Sequence, residues 1–363
     1  MQDSPPAALL GYRAVGERLL RSTEDSVAVS QPVACTLTRR TFFSLVPLAG
    51  MVMGSAKGQF AKEEQRAGES VEIVHTRVFA AGPGGGNPCP VIPFADPLDE
   101  HEMQALSQKF GLDTVFILSP QSKDADIRFR YFVPRHEMGV SGHATVAAIT
   151  VAMGQDRLPT DRVRVETLNG IFAANCVHNG EHLLVTLEQS RPTFGPAVPP
   201  SMVARSLRIN PESIAAQTPV ESVSVSRPKL LVPVAESTML DTLDPDFDAL
   251  WTLCDAFRVS GVYPFTRKTD KGNADVEARQ FPLRAGFPED AATGVAAAAL
   301  GAYLVKYDRQ SRTGVHNIRI AQGYAMRAPS LIEALVDCDG GNITRTAIRG
   351  AAEIVGQERV PLL

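Results

Sequence analysis

The sequence predicts a mixed α/β (α+β) fold of two similar lobes, each a curved sheet around a central alanine-rich helix, with a cleft between them. Three observations carry this. Short runs of alternating apolar and polar residues, such as 71–79, mark half-buried strands. Two alanine-rich segments, 142–149 and 291–303, each follow a strand and a glycine-bearing turn. Within them, His143-Ala144-Thr145-Val146-Ala147-Ala148 and Ala291-Ala292-Thr293-Gly294-Val295-Ala296-Ala297 match briefly at corresponding places. A length of 363 residues suits two lobes of ordinary size, read here as 71–190 and 191–363, with the last strand free to return to the first lobe.

Residues 1–70 read as a leader. Paired arginines, Arg39 and Arg40, precede a short apolar run, and the segment 38–54 has the layout of a twin-arginine export signal. That reading places the protein in the periplasm. The alternative, an over-extended start or a leader with a chance Arg-Arg pair, leaves it in the cytoplasm. The run is too short to span a bilayer, so no membrane anchor is expected.

From residue 71 the elements follow in order. A strand at 71–79 leads through the glycine-rich loop 82–88 to a second strand at 90–94. No Lys-Ser/Thr follows those glycines, so the loop is a tight connection and not a phosphate cradle. Met103, Leu106 and Phe110 fall on one face of a helix over 99–110 that stops at Gly111. Strands at 115–118 and 127–133 come next, then the first alanine-rich helix from about Gly142. In the second half a strand closes over 278–282, a turn spans 286–290, and the second alanine-rich helix opens at Ala291.

Small side chains let a sheet approach such helices closely. Their N-termini expose unpaired N–H groups and a partial positive charge, so two of them facing one cleft would clamp a carboxylate. Gly142, His143 and Ala144 at one start, with Asp290 and Gly294 at the other, are therefore candidate substrate-binding residues. Read alone, His143 is equally a capping residue, and Asp290 equally a plain helix cap. His136, beside Glu137, competes with His143 for a functional role.

Composition excludes several classes. Hydrophobic residues make up 44% and charged residues 21%, the mixture of a globular protein. The net charge of -4 offers nothing to a nucleic-acid backbone. Cysteines 35, 89, 176, 254 and 338 form no CxxC or His/Cys cluster, so neither a disulfide framework nor a metal site is expected, and each thiol reads as a small apolar filler.

Four stretches in this order resemble the PhzF-like phenazine-biosynthesis family, whose fold is shared with diaminopimelate epimerase. They are Gly86-Asn87-Pro88, Leu112-Asp113-Thr114-Val115-Phe116, Gly142-His143-Ala144-Thr145 and Pro288-Glu289-Asp290-Ala291-Ala292-Thr293-Gly294, with a weaker echo at Gln322-Gly323 and Pro329-Ser330. The resemblance implies two lobes, a central cleft, no metal, no organic cofactor and a homodimer. It implies that Asp113 stands where the family's proton-shuttling glutamate stands, one methylene shorter, and that His143 and Asp290 position the substrate's polar groups. A family serine is replaced by Val295, and Gly-Arg-Pro-Ser by Arg327-Ala328-Pro329-Ser330, so the phenazine substrate itself does not carry over. The epimerases place a thiol at each helix start. Here Ser141 and Ala291 stand there, which argues against a two-thiol racemase.

One carboxyl can take a proton from carbon and return it elsewhere, provided burial raises its pKa toward neutrality. The apolar neighbours of Asp113 suit that, although the residues alone read it as a turn residue after Gly111. Two functions follow: a cofactor-independent isomerase of a small polar acid or amino acid, or a non-catalytic member that binds such an acid in the same cleft.

Overall fold

The computed structural model describes residues 70–362 apart from 160, 181 and 309–312, so the segment 38–54 and Cys35 lie outside the described residues. The chain is a mixed α+β protein built mostly of strands. In the first half these are β1 (Ser70–Val78), β2 (Asn87–Ile92), α1 (Glu100–Phe110), β3 (Thr114–Leu118), β4 (Ile127–Val133), β5 (His136–Met138), α2 (Gly142–Gly154), β6 (Arg162–Thr167), β7 (Gly170–Asn179) and β8 (His182–Gln189). The second half holds β9 (Thr193–Val198), α3 (Pro200–Leu207), β10 (Val220–Ser224), β11 (Lys229–Pro233), α4 (Ser237–Asp241), α5 (Phe247–Phe257), β12 (Gly261–Thr266), β13 (Val276–Ala278), β14 (Phe281–Pro282) and α6 (Gly294–Tyr307). It ends with β15 (Gly314–Gln322), β16 (Ser330–Asp339), β17 (Asn342–Gly350) and β18 (Ala352–Pro361).

Strand neighbours run β18-β1-β2-β3-β4-β6-β7-β8, then cross from β8 to β17 and continue β16-β15-β13-β12-β11-β10-β9. The same succession of pairings occurs on both sides of that crossing. β2–β3 and β4–β6 are parallel in one half, β11–β12 and β13–β15 in the other, and the rest are antiparallel. Parallel neighbours need a crossover, which α1 and α2 supply in the first half and α5 and α6 in the second.

α1 shows how local sequence sets an element. Asp99 and Glu102 form a reciprocal capping box, and Gly111 closes the helix in the left-handed region at φ 65°. Such caps stabilise a helix end by about 1 kcal/mol. Met103 and Leu106 are buried beneath it, with Phe110 packed alongside. α2 and α6 are different, being apolar all round and buried along almost their whole lengths. Ala144, Ala147 and Ala148 of α2 share one core with Ala296 to Ala299 of α6. The two helix starts nearly touch: a Cβ added at Gly142 would lie 3.4 Å from the Gly294 Cα. Ile348 of β17 seals the contact.

Three boundaries differ from the sequence expectation. β2 begins at Asn87, not 90, because Asn87 pairs with Val78 across the hairpin. The strand expected over 278–282 is split into β13 and β14: Arg279 donates its backbone N–H to the Pro264 carbonyl at 3.0 Å, but proline has no N–H to return the bond, so the ladder with β12 is interrupted there. α6 begins at Gly294, not at Ala291. Gln322 holds the preceding residues extended, donating to the Asp290 carbonyl at 2.7 Å and accepting from the Thr293 N–H at 3.2 Å. The helix starts therefore match as Gly142 with Gly294, which makes Val295 the counterpart of His143. Asp290 lies four residues upstream of its helix and is not equivalent to His143. Among the described residues no helix is long and apolar enough to cross a membrane.

Candidate active site

Asp113 sits in the short link between α1 and β3. Ser107 fixes that link by donating to the carbonyls of Leu112 (3.1 Å) and Phe132 (2.8 Å), and Thr114 donates back to Leu112 at 3.2 Å. The carboxyl is only 7% exposed. Ser141 Oγ donates to Asp113 Oδ2 at 2.8 Å, whereas Oδ1 has no hydrogen-bond partner. Burial pushes the Asp113 pKa up to about 6, against the lowering influence of His143 and the Ser141 hydrogen bond, with Asp290 adding a smaller upward push.

His143, the second residue of α2, is buried. Its Nε2 stands 3.3 Å from Asp113 Oδ2 without the alignment of a hydrogen bond, so this ring nitrogen also has no bonded partner. Nδ1 is 3.5 Å from Ser141 Oγ. Ser141 thus reaches both groups from the residue before the helix.

Asp290 faces them from the second half. Asn87 donates to its Oδ1 at 2.6 Å and to the Ala292 carbonyl at 2.9 Å, while Thr293 Oγ1 donates to its Oδ2. Its backbone N–H is bonded to the Gln280 carbonyl, so side chain and main chain are both fixed. Asn87 explains the Gly-Asn-Pro stretch: its amide ties β2 to the approach to α6, a tie between residues 203 apart in the chain.

These groups line one cavity that is partly open to solvent. The structure brings Asp113, His143, Asp290, Gly142 and Gly294 to its wall, with His136. Ala144 does not line it and packs in the core. Val295, buried, presents a methyl surface there.

Sequence reasoning missed two basic residues of the same cavity. Arg227 lies in the bend before β11, and Lys229 is that strand's first residue. Burial, and then the neighbouring Arg227 guanidinium, lower the Lys229 pKa to about 7. Ser260 also lines the cavity. It follows the left-handed cap of α5 at Arg258 by two residues, as Asp113 follows the cap of α1 at Gly111. A serine in the second half therefore stands at the place where the first half carries its carboxyl. The one local signal was a basic Arg-Pro-Lys run leading into the apolar Leu-Leu-Val. Among the described residues no three His, Cys, Asp or Glu side chains converge as a metal site would need.

Known proteins resemble this chain in sequence and fold. The family model of phenazine biosynthesis-like proteins (PhzC-PhzF) matches residues 76–358. The uncharacterized isomerase YddE of Escherichia coli O157:H7 is 29% identical over 78% of this chain and 96% of its own length. The trans-2,3-dihydro-3-hydroxyanthranilate isomerase of Pseudomonas aeruginosa is 28% identical over 78% of this chain and 97% of its own. Among solved structures, a PhzF-family phenazine biosynthesis protein of Bacillus anthracis superposes with a TM-score of 0.73 at 25% identity, covering 80% of this chain and 99% of that one. With a matched family model spanning most of the described fold, the chain belongs to the phenazine biosynthesis-like, PhzC-PhzF family.

Proposed function

We propose that the protein is a cofactor-independent isomerase that moves a proton between two carbons of a small polar acid, with Asp113 as the single proton carrier. The observation that supports this most is the Asp113 carboxyl itself. It is buried on the cavity wall, held through one oxygen by Ser141, unpartnered at the other, and raised to about 6. A carboxyl in that state ionises near neutrality, accepts a proton from an acidified C–H and becomes an acid strong enough to return it.

A racemase working with two bases needs a second proton-transfer group at the matching place in the other half. Ser260 stands there instead, its hydroxyl committed to the Pro228 carbonyl at 2.9 Å. A one-carrier shift within a single substrate fits better than inversion between two bases. The substrate carboxylate rests on the N–H groups at Gly142 and Gly294, where two helix dipoles meet. His143 Nε2 and Asp290 hold neighbouring polar groups. In this reading α2 and α6, each with its own strands, are the cores of two lobes, and the cavity is the cleft between them. Val295 removes any hydroxyl contact from the second helix start. The ring substrate in the name of the Pseudomonas relative is therefore not assigned to this chain.

The test is solvent deuterium exchange into candidate unsaturated and amino acids. An isomerase washes label into carbon, and Asp113→Asn stops it. Ligand binding with no label entering carbon in the native protein would mean a binding protein instead.

A further inference from the structure

We infer that Arg227 and Lys229 bind a second acidic group of the substrate, so that this enzyme's substrates are compact dicarboxylic acids. The inference rests on the reading above, in which a first carboxylate lies at the two helix starts.

Lys229 is 4% exposed and lines the cavity, yet neither it nor Arg227 has a carboxylate within ion-pair distance among the described residues. Arg227, half-buried, donates only to the Met138 sulfur at 2.9 Å, and a thioether is a weak acceptor. Elsewhere in the molecule inward-facing cations meet acids: Arg279 with Glu289 at 2.7 Å, Arg130 with Glu137 at 2.6 Å, and Lys306 with Glu221 at 2.9 Å. Asp113 and Asp290 act on these two cations only through space, without an ion-pair contact, so the pair keeps its hydrogen-bonding positions for an incoming anion.

The wall is also held rigid. Pro228 stands between the two side chains, and its carbonyl accepts from both the Ser260 N–H (2.8 Å) and the Ser260 Oγ (2.9 Å). A guanidinium grips a carboxylate through two parallel N–H bonds, and an adjacent ammonium adds a third, so the pair suits a planar carboxylate. Burial and the crowding of like charge hold Lys229 near 7, a strain that an arriving anion relieves by pairing with the charged form. Asp113 and Asp290 line the same cavity as the pair. One acid group of the ligand rests at the helix starts, the other at Arg227 and Lys229, and the carbons between them pass Asp113.

Calorimetric titration of the full chain with glutarate and with butyrate, at fixed ionic strength, tests this. Glutarate should bind at least about tenfold more tightly than butyrate. Lys229→Met and Arg227→Leu, each checked for an intact melting transition, should bring that ratio close to one, while Lys229→Arg and Arg227→Lys keep most of it. A native protein that binds butyrate and glutarate equally overturns the inference and leaves the helix-start clamp standing. Absence of binding by either probe at about 10 mM, where even millimolar affinity would register, overturns both. A ratio unchanged in both charge-removing variants overturns the role of the pair. Should one of these two fail to fold, the ratio in the other decides.

Discussion

Under the proposed mechanism Asp113 meets two demands, because the burial that would make its carboxyl a useful base also makes its charge costly. As a base it must be ionised, so kcat/KM should rise about tenfold per pH unit up to about 6, and should fall again above about 7 as Lys229 loses the charge that holds the substrate's second acid group, in a pH–rate profile. The stability effect has the opposite sign. The folded-state pKa lies above the ordinary value of 3.8, so the native chain holds this proton more tightly than the unfolded one. Raising the pH from about 4 to 6 therefore removes stability, up to about 3 kcal/mol, and the loss is complete above 6. Asp113→Asn should lower deuterium wash-in by about 10²–10⁴-fold with little change in ligand affinity, and should raise the melting temperature at pH 8 but not at pH 4. Near-native exchange in that variant would remove Asp113 as the carrier. Its new amide can donate to His143 Nε2, which now has no bonded partner, so the substitution fits the site sterically. His143→Ala and Asp290→Ala should weaken binding and rate together. Asp113, His143 and Asp290 could be named from their motifs, each recognisable within a few residues. Arg227 and Lys229 could not, because what brings them to the cavity of Asp113 is packing between halves of the chain, and the Arg-Pro-Lys run alone does not announce it.

α1 was legible almost to the residue, since Asp99, Glu102, Gly111 and the Met103–Leu106 face are all local determinants. The start of α6 was not. It is set by Gln322, nearly thirty residues downstream, and by the Asn87 contact to Ala292. The meeting of α2 and α6 makes its own prediction. An added Cβ at Gly294 would lie 2.3 Å from Ile348 Cδ1, so Gly294→Ala should destabilise by about 1–3 kcal/mol in urea unfolding. Ile348→Val deletes that methyl. The double variant should recover at least about 0.5 kcal/mol relative to the sum of the single changes. Strict additivity would mean that the helix starts relax apart, not that they press on Ile348.

At the scale of the molecule, β1 lies between β2 and β18, and β18 pairs with it along its whole length, from Ser70 opposite Pro361 to Val78 opposite Ala352. The ends of the described fold are therefore adjacent. A circular permutant that joins Pro361 to Ser70 through a short glycine linker and opens in the β8–β9 connection should retain the fold and its exchange activity, measured by circular dichroism and deuterium wash-in. Deleting 352–361 should abolish soluble expression, because it bares an edge on a strand whose core-facing residues Ile73 and Val74 are fully buried. The alternation of 71–79 announced a strand but not its partner, because the pairing joins residues almost three hundred apart. That pairing also imposes an order on synthesis. While a ribosome is still translating β17, the first half already has its helices and most of its strands, but β1 waits with one side open. The sheet around α2 closes only when the last strand emerges, so the first half of the protein to be made is the last to be finished.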